Sequence, residues 1–279
     1  MTRRQLLVAL LAMVSGAGAS APVAAQRKFS FAVFGDNRPA GPNDPQPVVF
    51  RRMCIELGKV TPAPAFVVGL GDFVYGARSE GELRRQYGDF FRALAPIQAR
   101  RQMPFAPVPG NHDIGGSRRN EAVFKQFFKR LYYSFDWDGC HFVCLDSEIP
   151  GQEGTIAGEQ LEWLERDLEA HTEAPLTFVF VHRPLFPVSV HVGNSLDKDK
   201  RKRDALHRLF VKMGVDCVFA GHEHLWSVSQ TDGLHYLITG GAGAPLYATQ
   251  EGGGFHHYVL VRVEKNREYR IEVRTVAAG

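Results

Sequence analysis

One large α/β domain is what the chain predicts, on three observations. Short apolar runs of strand length alternate with segments whose apolar residues recur at helical spacing. Several of the runs end in Gly-Asp, Asn-His or a lone His, at the carboxyl strand ends where an open α/β sheet binds ligands. The 279 residues, 44% apolar and 23% charged, have an ordinary globular composition, and no repeat, low-complexity tract or interdomain linker divides them.

Phe29 to Phe34 reads as a buried strand ending at Gly35-Asp36, followed by helical spacing from Val49 through Met53 and Leu57 to Val60. Ala65 to Leu70 is a second apolar run, ending at Gly71-Asp72. A helix over Glu82 to Leu94 and a third strand over Phe105 to Val108 lead into Gly110-Asn111-His112-Asp113. After a helix near Glu121 to Leu131, Tyr132 to Phe135 and His141 to Leu145 flank an Asp138-Gly139 turn and predict a hairpin. Glu159 to Ala170 is a helix with Leu161, Leu164 and Leu168 on one face, and the strand Leu176 to Val181 ends in His182. Leu206, Leu209, Phe210 and Met213 mark another helix, and the strand Cys217 to Ala220 runs into Gly221-His222-Glu223-His224. Leu234 to Thr239, His257 to Val263 and Tyr269 to Val273 predict antiparallel strands, and Gly240 to Gly243 a close turn.

The first residues differ from the rest. Thr2-Arg3-Arg4 precedes an apolar run from Leu6 to Val14 and then small residues up to Ala25, the order of a secretory signal peptide, so residues 1–25 are expected to be removed and 26–279 to form the domain. The apolar run is short of the roughly 20 residues that span a bilayer, so no stable membrane anchor is expected. Thr-Arg-Arg-Gln-Leu-Leu also resembles a twin-arginine signal, and a periplasmic or secreted location follows. Without Arg3 and Arg4 the 33 Lys and Arg fall to 31 against 30 acidic residues, a balance that indicates no nucleic-acid partner. Lys198 to Arg203 is interleaved with Asp197, Asp199 and Asp204 and reads as a solvated helix start. Cys140 and Cys144 share a strand about 13 Å apart, too far to bridge, and Cys54 and Cys217 sit in apolar patterns, so all four read as packing residues.

The residues that carry chemistry are Asp36, Asp72, Asn111 with His112, His182, and His222 with His224. Each alone is a turn or a satisfied core residue. Together, at converging strand ends, unpaired burial of these groups would cost several kcal/mol that a bound cation pair relieves. His222 and His224, two apart in a regular strand, would share a face.

The ordered motifs GD, GDxxY, GNHD, a strand-end His and GHxH resemble those of the calcineurin-like metallophosphoesterases, over about Phe29 to Tyr247. The resemblance implies a four-layer α/β/β/α sandwich of two mixed sheets and a dinuclear metal site. One departure stands out: where the family has Asp-x-His, this chain has Asp36-Asn37-Arg38, and a protonated arginine has no lone pair to ligate with. Gly71-Asp72-Phe73-Val74-Tyr75 is similar to the GDxxY of purple acid phosphatases, whose tyrosine ligates ferric iron as phenolate. By resemblance one site is Asp36, Asp72, Tyr75 and His224, and the other Asp72, Asn111, His182 and His222, bridged by Asp72. Hard anionic oxygens suit Fe(III) in the first, and two imidazoles suit Fe(II), Zn(II) or Mn(II) in the second. The alternative for Tyr75 is a packing or hydrogen-bonding tyrosine.

Two metals about 3.5–4 Å apart lower the pKa of a bound water and clamp the oxygens of an in-line displacement. By resemblance His112 stabilises the transition state or protonates the leaving alkoxide, with Asp113 orienting it. Arg38 is expected either to bind a non-bridging phosphate oxygen or to form a structural ion pair. Arg183 and His191 are candidates for lining the substrate pocket. The leading expectation is a phosphatase of small phosphate monoesters. A phosphodiesterase on the same core, and a degenerate metal- or phosphate-binding protein, are the alternatives.

Overall fold

A computed structural model describes residues 27–101 and 103–278, so the segment 1–25 expected to be a signal peptide lies outside the described residues. The strands are β1 (Phe29–Phe34), β2 (Val67–Gly69), β3 (Phe105–Pro107), β4 (Tyr133–Trp137), β5 (Cys140–Cys144), β6 (Thr177–Val181), β7 (Cys217–Ala220), β8 (Trp226–Thr231), β9 (Leu234–Thr239), β10 (His257–Val263) and β11 (Tyr269–Thr275). The helices are α1 (Val48–Leu57), α2 (Glu80–Arg101), α3 (Asn111–Ile114), α4 (Arg118–Phe128), α5 (Gly158–Ala170) and α6 (Lys200–Lys212). One sheet has the order β11-β10-β1-β2-β3 and the other β4-β5-β6-β7-β9-β8. Both are mixed: β1, β2 and β3 are parallel, as are β5, β6, β7 and β9, while β10 and β11, β4, and β8 pair antiparallel.

The inner strands β1, β5, β6, β7 and β10 are buried almost throughout, which is why they read as continuous apolar runs. Along β1, Ala32 and Phe34 join the cluster formed with α1, α2 and α4, while Phe31 and Val33 join the cluster between the two sheets. Along β6, Phe178 and Phe180 face that same inter-sheet cluster, whereas Val179 and Val181 pack with Leu164 and Leu168 of α5 and Leu206 and Phe210 of α6. Three cores therefore separate four layers, helices, sheet, sheet, helices, and the expected sandwich is the observed one.

Three differences from the sequence reading have local causes. Helix α2 continues past Pro96, which removes one helical hydrogen bond, because Leu83, Tyr87, Phe90, Leu94 and Ile97 are all buried on its inner face. Strand β8 was not expected. It is half-exposed and pairs with β9 across Asp232-Gly233, whose φ values of 50° and 83° suit the same hairpin turn as Asp138-Gly139. The one-turn helix α3 forms on the GNHD segment itself. The four cysteines are buried, as expected.

The far ends of β4 and β5 carry an ion network of their own. His141, 1% exposed, lies 2.8 Å from Asp136 Oδ1 through Nδ1 and 2.9 Å from Asp167 Oδ2 through Nε2, and the His171 ring stacks on it at 3.7 Å. Both nitrogens face acceptors, which suits the doubly protonated cation. Burial opposes that charge, but the bonds to Asp136 and Asp167 outweigh it and hold the imidazole pKa up, while the His141 bond holds the Asp136 carboxyl down. The sign follows: the His141 contribution is complete below the unfolded imidazole value of about 6.5 and lost as pH rises through the raised folded value, whereas the Asp136 contribution fades in acid. His141→Gln should therefore cost about 2 kcal/mol near pH 6 and progressively less as pH rises through the raised folded value. Urea midpoints of both proteins across that range measure it, and a difference independent of pH would remove the cationic reading.

Candidate metal centre

The carboxyl ends of β1, β2 and β3 meet those of β6 and β7 at one edge of the sandwich. Asp36, Asp72 and His222 stand just past their strands with φ of 62°, 56° and 69°, left-handed conformations that non-glycine residues adopt at a cost of roughly 1–3 kcal/mol. His222 and His224 thus do not continue a regular strand: β7 ends at Ala220 and the chain bends between them. What brings them to the site is the His222 amide, which donates to both Asp36 carboxylate oxygens at 3.1 and 2.9 Å. A side chain at Gly221 would bring its Cβ within 2.5 Å of Asp36 Oδ2, and one at Gly110 would overlap the amide and Oδ1 of Asp72, so both turns require glycine for close approach.

Asp36, Asp72 and His224 offer one ligand atom each within 4.8 Å of one another, all buried. His224 Nε2 is 3.5 Å from Asp36 Oδ1, and His182 Nε2 is 3.5 Å from Asp72 Oδ1 and 2.9 Å from Asn111 Oδ1. The tautomers are set by the main chain. Nδ1 of His182 donates to the Leu70 carbonyl at 2.7 Å, that of His224 to Pro245 at 2.6 Å and that of His112 to Tyr75 at 2.6 Å. A carbonyl only accepts, so each neutral ring keeps its lone pair on Nε2. Lone pairs of His182 and His224 then point at carboxylate and amide oxygens, acceptors facing acceptors, which only a cation or an added proton relieves. His222 Nε2 is buried with no hydrogen-bond partner. Burial first, and then the neighbouring His182 and His191, drive the His222 pKa far down, so it stays neutral. Burial would raise the Asp72 carboxyl, but the positive charge that His182 and His112 take on when protonated, the His112 amide bond and Arg38 outweigh it and hold the pKa below the ordinary carboxylate range. Carboxylate oxygens and imidazole nitrogens converging with no hydrogen-bond donor between them are the donor set of a metal site, and these residues fit the ions implied for them.

Residues 29–225 match the family model for calcineurin-like phosphoesterases. The chain belongs to that family. Its relatives include human serine/threonine-protein phosphatase CPPED1, 29% identical over 231 residues and covering 77% of this chain and 71% of the relative. Arabidopsis thaliana purple acid phosphatase 21 is 28% identical over 226 residues, which cover 75% of this chain but only 48% of the relative. Among solved structures, a purple acid phosphatase from yellow lupin superposes with a TM-score of 0.73 at 18% identity, covering 90% of this chain and 52% of that one. As a calcineurin-like phosphoesterase with phosphatase relatives, this chain is a phosphoric ester hydrolase and takes metal ions. Fold alone would not say so, because GAP50, an anchor in the inner membrane complex of Plasmodium, also superposes with a TM-score of 0.65.

Arg38, at the position where other calcineurin-like phosphoesterases carry histidine, places Nε 3.8 Å from Asp72 Oδ2, too far for a hydrogen bond, and its guanidinium 5.9 Å over the Tyr75 ring. Its Nε is buried without a partner, while Nη1 donates to the Pro39 carbonyl at 3.2 Å. Tyr75 is half-buried, with its ring 5.7 Å from that of His112. The centre thus brings together Asp36, Asp72, Asn111, His112, His182, His222 and His224, with Arg38 and Tyr75 along one wall.

Two expectations are corrected. Asp113 does not orient His112, whose Nδ1 is taken by the Tyr75 carbonyl. Its carboxylate instead accepts from the amides of Asp72 at 2.8 Å, Gly110 at 2.9 Å and Phe73 at 3.3 Å and from Tyr87 Oη at 3.1 Å, tying the β2 and β3 turns together. Arg183 is held in a buried ion pair rather than free to reach a substrate. Its Nε and Nη2 lie 2.7 and 2.9 Å from the Glu148 carboxylate, and Nη1 donates to the Asn194 carbonyl at 2.6 Å. His191, by contrast, stacks on His222 at 3.9 Å. Two residues escaped the sequence reading: Tyr247, stacked on His224 at 4.0 Å, and Glu223, buried between the two motif histidines.

The Asp113 contacts separate two outcomes. Asp113→Asn turns an NH2 group toward amide donors and should lower stability by about 2–3 kcal/mol together with metal content. A residue that only oriented His112 would instead lower turnover at unchanged urea midpoint and metal stoichiometry.

Proposed function

We propose that this chain is a dinuclear metallophosphatase of small phosphate monoesters, similar in its metal core to purple acid phosphatases. The observation that carries the reading is the convergence of buried carboxylates and imidazole Nε2 atoms around Asp36 and Asp72. Asp36, Asp72, Tyr75 and His224 would hold one ion and Asp72, Asn111, His182 and His222 the other, with Fe(III) suited to the first set and Fe(II), Zn(II) or Mn(II) to the second. The ions would supply Lewis-acid activation of the phosphoryl group and of water.

The chain's own residues do the rest. The Tyr75 carbonyl takes the Nδ1–H of His112 and leaves Nε2 to the site, so that Nε2 would first take up a proton and then, from the imidazolium, pass it to the leaving alkoxide. The orphaned Nε–H of Arg38 lacks only an acceptor, and a non-bridging phosphate oxygen is one. This additional cation favours a dianionic monoester over a monoanionic diester. The basic, apolar and small-residue order of residues 1–25 supports an exported enzyme whose mature chain starts at Gln26, a start that N-terminal sequencing of the native protein reads directly.

Elemental analysis, a visible spectrum and paired monoester and diester assays test the proposal on the wild type, Tyr75→Phe and His112→Ala. About two metals per chain, an iron-dependent visible band lost in Tyr75→Phe and faster monoester turnover are expected. His112→Ala should keep its metals and lose about 10²–10⁴ in kcat. Two metals without the band would remove Tyr75 and ferric iron. At most one metal and no turnover would favour a degenerate binding scaffold.

A further inference from the structure

The loop from His182 to α6 carries no Lys, Arg, Asp or Glu between Pro184 and Leu196. One buried carboxylate holds its backbone. Glu223, 0% exposed, accepts from the amides of Val188 and Ser189 at 2.7 Å each and of His191 at 3.3 Å. Because Glu223 stands between His222 and His224, this clamp fastens the loop directly to the candidate metal ligands. The His191 ring then lies on His222, and Tyr247, 5.5 Å from His191, covers His224.

On this held loop Val188, Val190 and Val192 are 53%, 64% and 61% exposed. A single exposed valine is ordinary, but these are three of the seven exposed large hydrophobics among the described residues, within five positions of one loop. A segment anchored by three amides cannot readily collapse to hide them, and apolar side chains held in water on the loop whose His191 ring lies against a candidate ligand mark a contact surface.

We propose that Val188, Val190 and Val192 form the subsite for an apolar alcohol moiety of the phosphate ester, an aliphatic or aryl leaving group. The inference rests on the phosphomonoesterase reading and names its substrate class. Continuity with the centre favours this occupant: an ester whose phosphate is seated beside Arg38 and Asp72 extends its other end past the His191 and Tyr247 rings, toward the loop that bears the valines. The lack of charge on the loop offers nothing to a second phosphate or a carboxylate.

The test is a series of straight-chain alkyl phosphates from methyl to hexyl, assayed with the metal-loaded wild type and with a variant combining Val188→Ser, Val190→Ser and Val192→Ser. In the wild type kcat/KM should rise about two- to fourfold per methylene. In the variant the hexyl-to-methyl ratio should fall about tenfold. Val190→Thr, nearly isosteric and exposed, should lower the ratio about twofold and serves if the triple variant does not fold. A flat wild-type series with methyl phosphate still hydrolysed overturns the subsite and leaves the phosphatase reading standing. Turnover of no ester overturns both. A flat series with phosphatidylcholine vesicle binding that the triple variant loses would assign the valines to a lipid surface and overturn the ester proposal.

Discussion

Two buried carboxylates, Asp36 and Asp72, constrain everything else in this molecule. Each is at most 2% exposed, and each sits at a sharp left-handed turn on the rim of a sheet whose two faces are wholly apolar. Ionised oxygens in such a place cost several kcal/mol unless something positive or hydrogen-donating meets them. The surroundings supply both. The amides of His222 and His112 donate to Asp36 and Asp72, Arg38 stands off Asp72 at 3.8 Å, and Asp113 takes the amides of the turns so that their hydrogen-bonding is complete. None of this consumes the lone pairs of His182, His222 and His224. The site is stable enough to form and incomplete enough to bind.

How much of this was legible follows from whether a feature is local. The strand ends were readable because β1, β6 and β7 are apolar on both faces and stop abruptly at polar residues, so each boundary is written in adjacent positions. Strand β8 was not, since Trp226-Ser-Val-Ser-Gln-Thr is a half-exposed edge with a weak apolar signal, although Asp232-Gly233 marked its turn. The ligand candidates were legible as residue types at strand ends. Their tautomers were not, because the Nδ1 partners are main-chain carbonyls of Leu70, Pro245 and Tyr75, and a carbonyl leaves no trace in residue identity. Asp113 was misassigned for the same reason: adjacency to His112 suggested a partner, whereas its acceptors serve amides some forty residues away. Glu223 was overlooked as a motif spacer, though its partners lie thirty-odd residues upstream.

Arg38 changes the electrostatics of the centre more than any other departure from the family pattern. A histidine at that position would add a neutral lone pair to the ligands. Arginine adds a fixed positive charge beside the bridging candidate Asp72 and offers no lone pair, so the proposed first ion would depend on oxygens and one imidazole. That shift favours a harder ion, and it also places a cation where phosphoryl charge would accumulate. The two consequences reinforce each other only if Tyr75 joins the ligand set, and the contact of its ring with Arg38 keeps the phenol on the same wall.

The opposite end of the sandwich provides the control for this reasoning. Asp136, His141 and His171, one Asp and two His, also offer ligand atoms within 4.8 Å of one another, as the two Asp and one His of Asp36, Asp72 and His224 do. Their hydrogen bonding is different. His141 has a carboxylate oxygen for each ring nitrogen, and the His171 ring is stacked face to face on it, so its in-plane lone pair runs beside rather than toward a shared point. That network is complete with one proton and gains nothing from a metal ion. At the candidate centre the main chain takes Nδ1 of His182 and of His224 and burial holds His222 neutral, which leaves the Nε2 atoms of His182 and His224 turned to carboxylates that a shared ion would also engage. Composition and proximity therefore do not distinguish a salt-bridged latch from a metal centre, and the direction in which the lone pairs face does.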